Sequence, residues 1–196
     1  MIITVKKIIF LFVFFLFYVI MNFMVEKKTV KPTPTGLSRS QIEELAVLFA
    51  NGTNFIPCET DIREYIQKIG GTIVYDTNNT KLDSNGGSID VDGPTNFTIT
   101  LSKDTSPKRD IFTLAHELGH FVLHSRLGQI PIRAHRSGDL TLLEKEANSF
   151  AASFLMPKEL FSKEFAKLNG NISELASKFN VSIMAATWRC KNLGLI

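Results

Sequence analysis

Residues 113–124 read TLAHELGHFVLH. Four titratable side chains, His116, Glu117, His120 and His124, sit in a stretch otherwise apolar enough to be core. A buried polar group without a partner costs roughly 2–7 kcal/mol, so the fold must supply these four with partners or with an ion. On an α-helix, positions four apart share a face, and the imidazoles of His116 and His120 converge on one point. Two such nitrogens are two of the four ligands of a tetrahedral zinc ion, at roughly 2.0–2.1 Å each. Glu117 turns about 100° around the axis from His116. It lies beside the ion and can take a proton from a water that zinc has acidified toward a pKa of about 7. That division of labour is the physical content of the HExxH spacing. His124 continues the same face but lies two turns on, roughly 12 Å from His116 along the axis. One ion cannot span that distance, so His124 reads as an outer neighbour of the site, a helix-end group or a satisfied histidine.

The third ligand must come from another element. TLLEKEANSFAASFLMP, residues 141–157, has helical periodicity and offers Glu144 and Glu146. Glu144 shares its face with Ala147, Asn148 and Ala151, and Glu146 shares its face with Ser149, Phe150 and Ser153. Small residues let two helices approach closely enough for a carboxylate to reach the metal, which favours Glu144, with Glu146 the alternative. Asn148, one turn on, can hydrogen-bond the outer nitrogen of a ligating histidine.

The rest of the chain reads as α+β. SRSQIEELAVLFANG is an amphipathic helix with Ser38 or Ser40 as N-cap, and TDIREYIQKIGG is a second, capped by Thr60. TIVYD, SIDVDG and NFTITLS alternate as strands, the last two around a Gly93-Pro94 turn. Ser106-Pro107 opens the metal helix, which is expected to run through His124. Residues 125–141 have no clear period. Beyond Pro157 the chain reads as helical again. Residues 172–196 form a helical hairpin about a turn near Asn180, expected to be anchored on the core by Trp188. A run of helices, a small sheet and further helices is one α+β domain over 39–196.

Ahead of it, IIFLFVFFLFYVIMNFMV, residues 8–25, carries no charge. Eighteen helical residues span roughly 27 Å, near the hydrocarbon thickness of a bilayer. Residues 1–25 are therefore expected to be an uncleaved single-pass membrane anchor. The tally of lysine and arginine beside it places the catalytic domain on the cytoplasmic side. Residues 26–38, EKKTVKPTPTGLS, read as an extended linker. The net charge of the 196-residue chain is only +3, which gives no polyanion-binding signal. The helical tail bears too few basic residues to grip phosphates, so no direct nucleic-acid binding is expected. Cys58 and Cys190 match no metal or redox spacing and read as small buried thiols.

Together, RDIFTLAHELGHFVLH and the downstream LEKEANSFAASFLMP resemble the ImmA/IrrE family of zinc-dependent endopeptidases, over roughly residues 40–196. The resemblance implies a minimal zincin domain, with His116, His120 and Glu144 as zinc ligands and Glu117 as catalytic base. It also implies a protein substrate of regulatory kind, a helix-turn-helix repressor of a mobile element or stress response. NFTITLS, just ahead of the metal helix, is expected to offer its edge to an extended peptide substrate. Tyr75, Arg133 and His135 are candidate oxyanion partners by residue type. The competing reading is a non-catalytic zinc-containing binding or sensing module of the same fold. Retention of Glu117 separates the two, because holding a metal does not require it.

Overall fold

A computed structural model describes residues 28–76, 86–103, 105–135 and 141–196. The first helix, α1 (Arg39–Gly52), starts at a capping box: the Ser38 hydroxyl accepts from the Gln41 amide while the Gln41 side chain accepts from the Ser38 amide. Helix α2 (Ile62–Lys68) is capped by Asp61, which accepts from the amides of Arg63 and Glu64. Thr60, the cap expected from sequence, instead accepts from the Ile56 amide and closes the preceding turn.

Strands β1 (Gly71–Asp76), β2 (Gly87–Gly93), β3 (Asn96–Ser102) and β4 (Ile132–His135) form one sheet in the order β1-β3-β2-β4. Strand β1 is parallel to β3, and the other neighbours are antiparallel, with Ile89 opposite both Ile99 and Ala134. Ile89, Val91, Phe97, Ile99, Leu101, Ile132 and Ala134 are buried on the helix-facing side, the pattern of a sheet covered on one face. The expectation that β3 offers an edge is corrected, because β1 and β2 flank it on both sides. The edges are β1 and β4. Four residues are too few to show a period, which is why β4 was hidden in the aperiodic stretch 125–141.

Helix α3 (Pro107–Gly119) carries the HExxH segment under the sheet. It does not continue as α-helix through His124: residues His120–His124 form a π-helical turn, with the Ser125 amide donating to the His120 carbonyl five residues back. Helix α4 (Leu142–Leu155) packs against α1 and α3. Gly119 marks the crossing of α3 and α4, since a Cβ there would lie 3.0 Å from the Ala147 Cα. Phe154 on α4 stacks on Phe55 at 4.1 Å between ring centroids and on Phe150 at 5.7 Å, the aromatic centre of the helical core.

Helices α5 (Lys158–Lys167), α6 (Ile172–Lys178) and α7 (Ile183–Leu193) follow. The hairpin of α6 and α7 turns through Asn180 in the left-handed region, φ 51°. Its anchor is not Trp188, which is 60% exposed. Ala186, Arg189 and Cys190 form the inward face of α7. Arg189 donates from Nε to the Met156 carbonyl at 2.9 Å and pairs with Glu43 on α1. Both cysteines are free thiols, Cys190 buried and Cys58, against expectation, exposed.

Residues 28–38 are extended, as a linker would be, yet they dock on the domain. Val30 bridges to Ile132 on the outer edge of β4 and donates to the Pro131 carbonyl at 2.9 Å. The apolar segment 8–25 lies outside the described residues. Among the described residues no helix is long and apolar enough to cross a membrane. The longest, α1 and α4, have 14 residues and reach about 21 Å, short of the roughly 30 Å a hydrocarbon core requires. The expected single-pass membrane placement, with its transmembrane helix and cytoplasmic orientation, is corrected to that extent: no described helix supports it.

Candidate metal centre

His116, near the end of α3, and His120, the first residue of the π-helical turn, stand one turn apart and are 1% and 2% exposed. Their Nε2 atoms face one another at 3.2 Å. Glu144 enters from the first turn of α4, where Thr141 caps the helix by accepting from the Glu144 amide. Its carboxylate lies 3.1 Å from His116 Nε2 and 3.5 Å from His120 Nε2. The three residues form a buried cluster able to hold a metal ion. Ligands at 2.0–2.1 Å on a tetrahedral ion are about 3.3–3.4 Å apart, close to the spacing of the two Nε2 atoms, and the Glu144 carboxylate meets them through different oxygens, Oε2 toward His116 and Oε1 toward His120.

The donor chemistry agrees with that geometry. Asn148 Oδ1 accepts from His116 Nδ1 at 2.9 Å, the bond anticipated from the helical spacing. The proton therefore sits on Nδ1, and Nε2 keeps its lone pair for the cluster. Burial raises the Glu144 carboxyl, but hydrogen bonds and charge from His116 and His120 outweigh it and hold the group below the ordinary carboxylate range.

Glu117 is buried at 1% exposure, next to His116 in sequence, and turned toward the start of β2. A Cβ on Gly87 would stand 2.8 Å from Glu117 Oε1 and 2.5 Å from Thr113 Cγ2. A side chain at Gly87 would displace the Thr113 and Glu117 side chains where β2 crosses the metal helix. Within the sheet, Ser88 pairs with His135, so β4 is the edge strand next to Glu117, whereas β1 lies two strands away.

Of the two glutamates on α4, Glu144 reaches the imidazoles and Glu146 does not. Glu146 Oε2 instead accepts from His124 Nε2 at 3.0 Å, and His124 Nδ1 lies 3.0 Å from His120 Nδ1. His124 thus touches the cluster only through His120. Burial, with His120 beside it, lowers the His124 pKa to about 4 against the pull of Glu146, so the ring is neutral at physiological pH. The Glu146 carboxylate also accepts from the amides of Thr35 at 2.8 Å and Gly36 at 2.9 Å. Burial raises it, while these amides and His124 lower it further, leaving it ionised. The tie to Thr35 and Gly36 was invisible in sequence, because it uses backbone amides 110 residues away. Nothing in the spacing of Gly87 and Gly119 marks them as bare backbone beside the motif.

Two of the three oxyanion candidates are placed by the structure, and neither is seen at the cluster. Arg133 pairs with Asp92 at 2.7 Å and Asp90 at 3.2 Å on the sheet, and Tyr75 is 45% exposed on the far edge strand. The backbone of His135 ends β4, and its side chain is outside the described residues.

A histidine pair on one helix, a carboxylate from a second, and a glutamate beside the first histidine define the donor arrangement of metal-dependent peptidases. A family model described as the IrrE N-terminal-like domain, of a peptidase family, matches residues 74–191. The chain belongs to this family and is, at that level, a metallopeptidase. It is 27% identical over 84 residues to "Metallopeptidase ImmA" of Bacillus subtilis (strain 168), over 42% of this chain and 50% of that protein. The chain thus aligns with half the length of this curated relative. The fold is similar to a solved "Mycobacterium tuberculosis transcriptional regulator", with TM-score 0.52 and 16% identity, over 75% of this chain and 45% of that one.

Proposed function

We propose that the chain is a zinc-dependent endopeptidase that hydrolyses a peptide bond in a regulatory protein, with His116, His120 and Glu144 as zinc ligands and Glu117 as catalytic base. The observation that carries this reading is the buried cluster of two Nε2 atoms 3.2 Å apart with the Glu144 carboxylate 3.1 Å from one and 3.5 Å from the other, and a buried glutamate beside it. A zinc ion held there supplies Lewis acidity, polarising the scissile carbonyl and lowering the pKa of the attacking water. Glu117 takes the proton from that water as its oxygen bonds to the carbonyl carbon. When the C–N bond breaks, Glu117 returns the proton to the departing amine. An extended peptide laid along the end of β4 would pass next to Gly87 and Glu117, the role sequence had assigned to β3. Asn148 holds the His116 ring in the tautomer the metal needs.

A helix-turn-helix repressor is the substrate class we favour, supported by family membership and by the relative named as a metallopeptidase. The test is the Glu117→Gln variant, incubated with zinc and a candidate repressor. It is expected to bind zinc as the parent does while cleavage falls by at least about 100-fold. Undiminished cleavage by this variant would leave the enzymatic reading without its base.

A further inference from the structure

The described chain contains a second hydrogen-bonded array behind the metal cluster that the peptidase reaction does not use. We propose that His124 and Glu146 are positioning residues for His120, and that docking of residues 28–36 completes their array and so tunes the affinity of the site for its metal. This rests on the reading of His120 as a ligand.

The array has one self-consistent proton arrangement. If His120 presents the Nε2 lone pair to the cluster, its Nδ1 carries the proton and donates to His124 Nδ1 at 3.0 Å. His124 then carries its proton on Nε2 and donates to Glu146 Oε2 at 3.0 Å. Glu146 as a carboxylate only accepts. Its two oxygens take His124 Nε2 and the Thr35 amide on Oε2 and the Gly36 amide on Oε1, and the Thr35 hydroxyl also hydrogen-bonds the carboxylate. Every proton points from the cluster toward the carboxylate. A carboxylate behind a ligating histidine fixes its tautomer and raises its basicity, and here His124 carries that influence one ring further.

Little else fastens the N-terminal strap. Thr35 and Gly36 are exposed, and Val30, 54% exposed, makes only the single bridge to β4. Pro32 and Pro34 lack amide hydrogens and keep the backbone extended, so further ladder pairing is blocked and docking costs little chain entropy. The Thr35 and Gly36 amides therefore meet a carboxylate that reaches a candidate ligand through His124.

The experiment uses the full chain and two probe metals. Zinc affinity is measured by chelator competition, and the ligand field by the visible absorption of the cobalt(II)-substituted protein. Glu146→Gln preserves shape but places an amide NH₂ against inward-facing donors. It is expected to weaken zinc binding about 10–100-fold and to shift the cobalt spectrum. Thr35→Pro removes both the amide and the hydroxyl of Thr35 from the array, in an exposed segment, and leaves the core untouched. It should weaken zinc about 2–13-fold, shift the spectrum the same way, and add nothing in the Glu146→Gln background. Zinc affinity within twofold of the parent and an unchanged cobalt spectrum in Glu146→Gln would overturn the proposal. So would a Thr35→Pro effect that is absent, or equally large in both backgrounds. A parent that binds no zinc through His116, His120 and Glu144 would remove the ligand reading itself. A parent that binds zinc normally while its variants do not differ removes only the positioning array.

Discussion

Gly119→Ala separates helix propensity from helix contact. Alanine is the better helix former by about 1 kcal/mol, so an isolated α3 would gain. In the folded chain the new Cβ would stand 3.0 Å from the Ala147 Cα, 3.1 Å from the Ala147 carbonyl oxygen and 3.3 Å from the Phe150 Cβ. Two of these atoms are backbone and the third is fixed to it, so no rotamer change relieves the contact. Helix α4 must retreat by a few tenths of an ångström. Overpacking of this kind costs about 1–3 kcal/mol, which leaves a net loss of about 0–2 kcal/mol. For a chain of this size each 1 kcal/mol lowers Tm by roughly 2–4 °C. The functional consequence is larger than the stability one. Glu144 rides on α4 and must meet one imidazole on α3 and one on the π-helical turn that continues it, and such sites tolerate displacements of only about 0.5 Å. Zinc affinity, read by chelator competition, should fall about 10-fold while thermal unfolding of the metal-free protein moves by only a few degrees. A variant with raised Tm and parental zinc affinity would show that α3 and α4 do not touch at this point.

Three further outcomes are expected. Asn148→Ala removes the acceptor on His116 Nδ1 and should weaken zinc binding about 10–100-fold, with parental affinity in the same titration counting against the assigned tautomer. Phe154→Ala empties a fully buried site between Phe55 and Phe150 and should cost about 3–5 kcal/mol in urea unfolding; a loss under about 1 kcal/mol would contradict that packing. Burial raises the Tyr65 phenol to about 12 despite its hydrogen bond with Thr53. Its contribution is therefore complete below the unfolded value of 10 and is lost as pH rises toward 12. Tyr65→Phe should flatten that alkaline decline in stability, and an unchanged slope would contradict the assignment.

Sequence reading succeeded where the signal is local. The histidine spacing 116/120 requires only a helix, and any helix places those rings on one side. The N-cap, read as Ser38 or Ser40 and found at Ser38, the helical periodicity of 142–155 and the alternation in β2 and β3 are likewise written within a few residues of where they act. Trp188 misled because size suggested an anchor, whereas position on α7 turns Arg189 and Cys190 inward. NFTITLS looked like a strand and is one. Which strands lie beside it depends on β4, four residues from a stretch without periodicity.

The sequence alone determined that this chain carries a helix-borne histidine pair with an adjacent glutamate, an acidic helix downstream, and the α+β order of elements around them, because each depends on spacing along a single element. Tertiary structure alone decided that Glu144 meets the imidazoles while Glu146 meets His124, that β4 and not β3 is the edge beside Glu117, and that residues 28–38 lie on the domain. Those outcomes depend on how closely two helices approach at Gly119 and on which backbone amides reach a carboxylate 110 residues away. Distances between elements are properties of packing, and no local pattern encodes them.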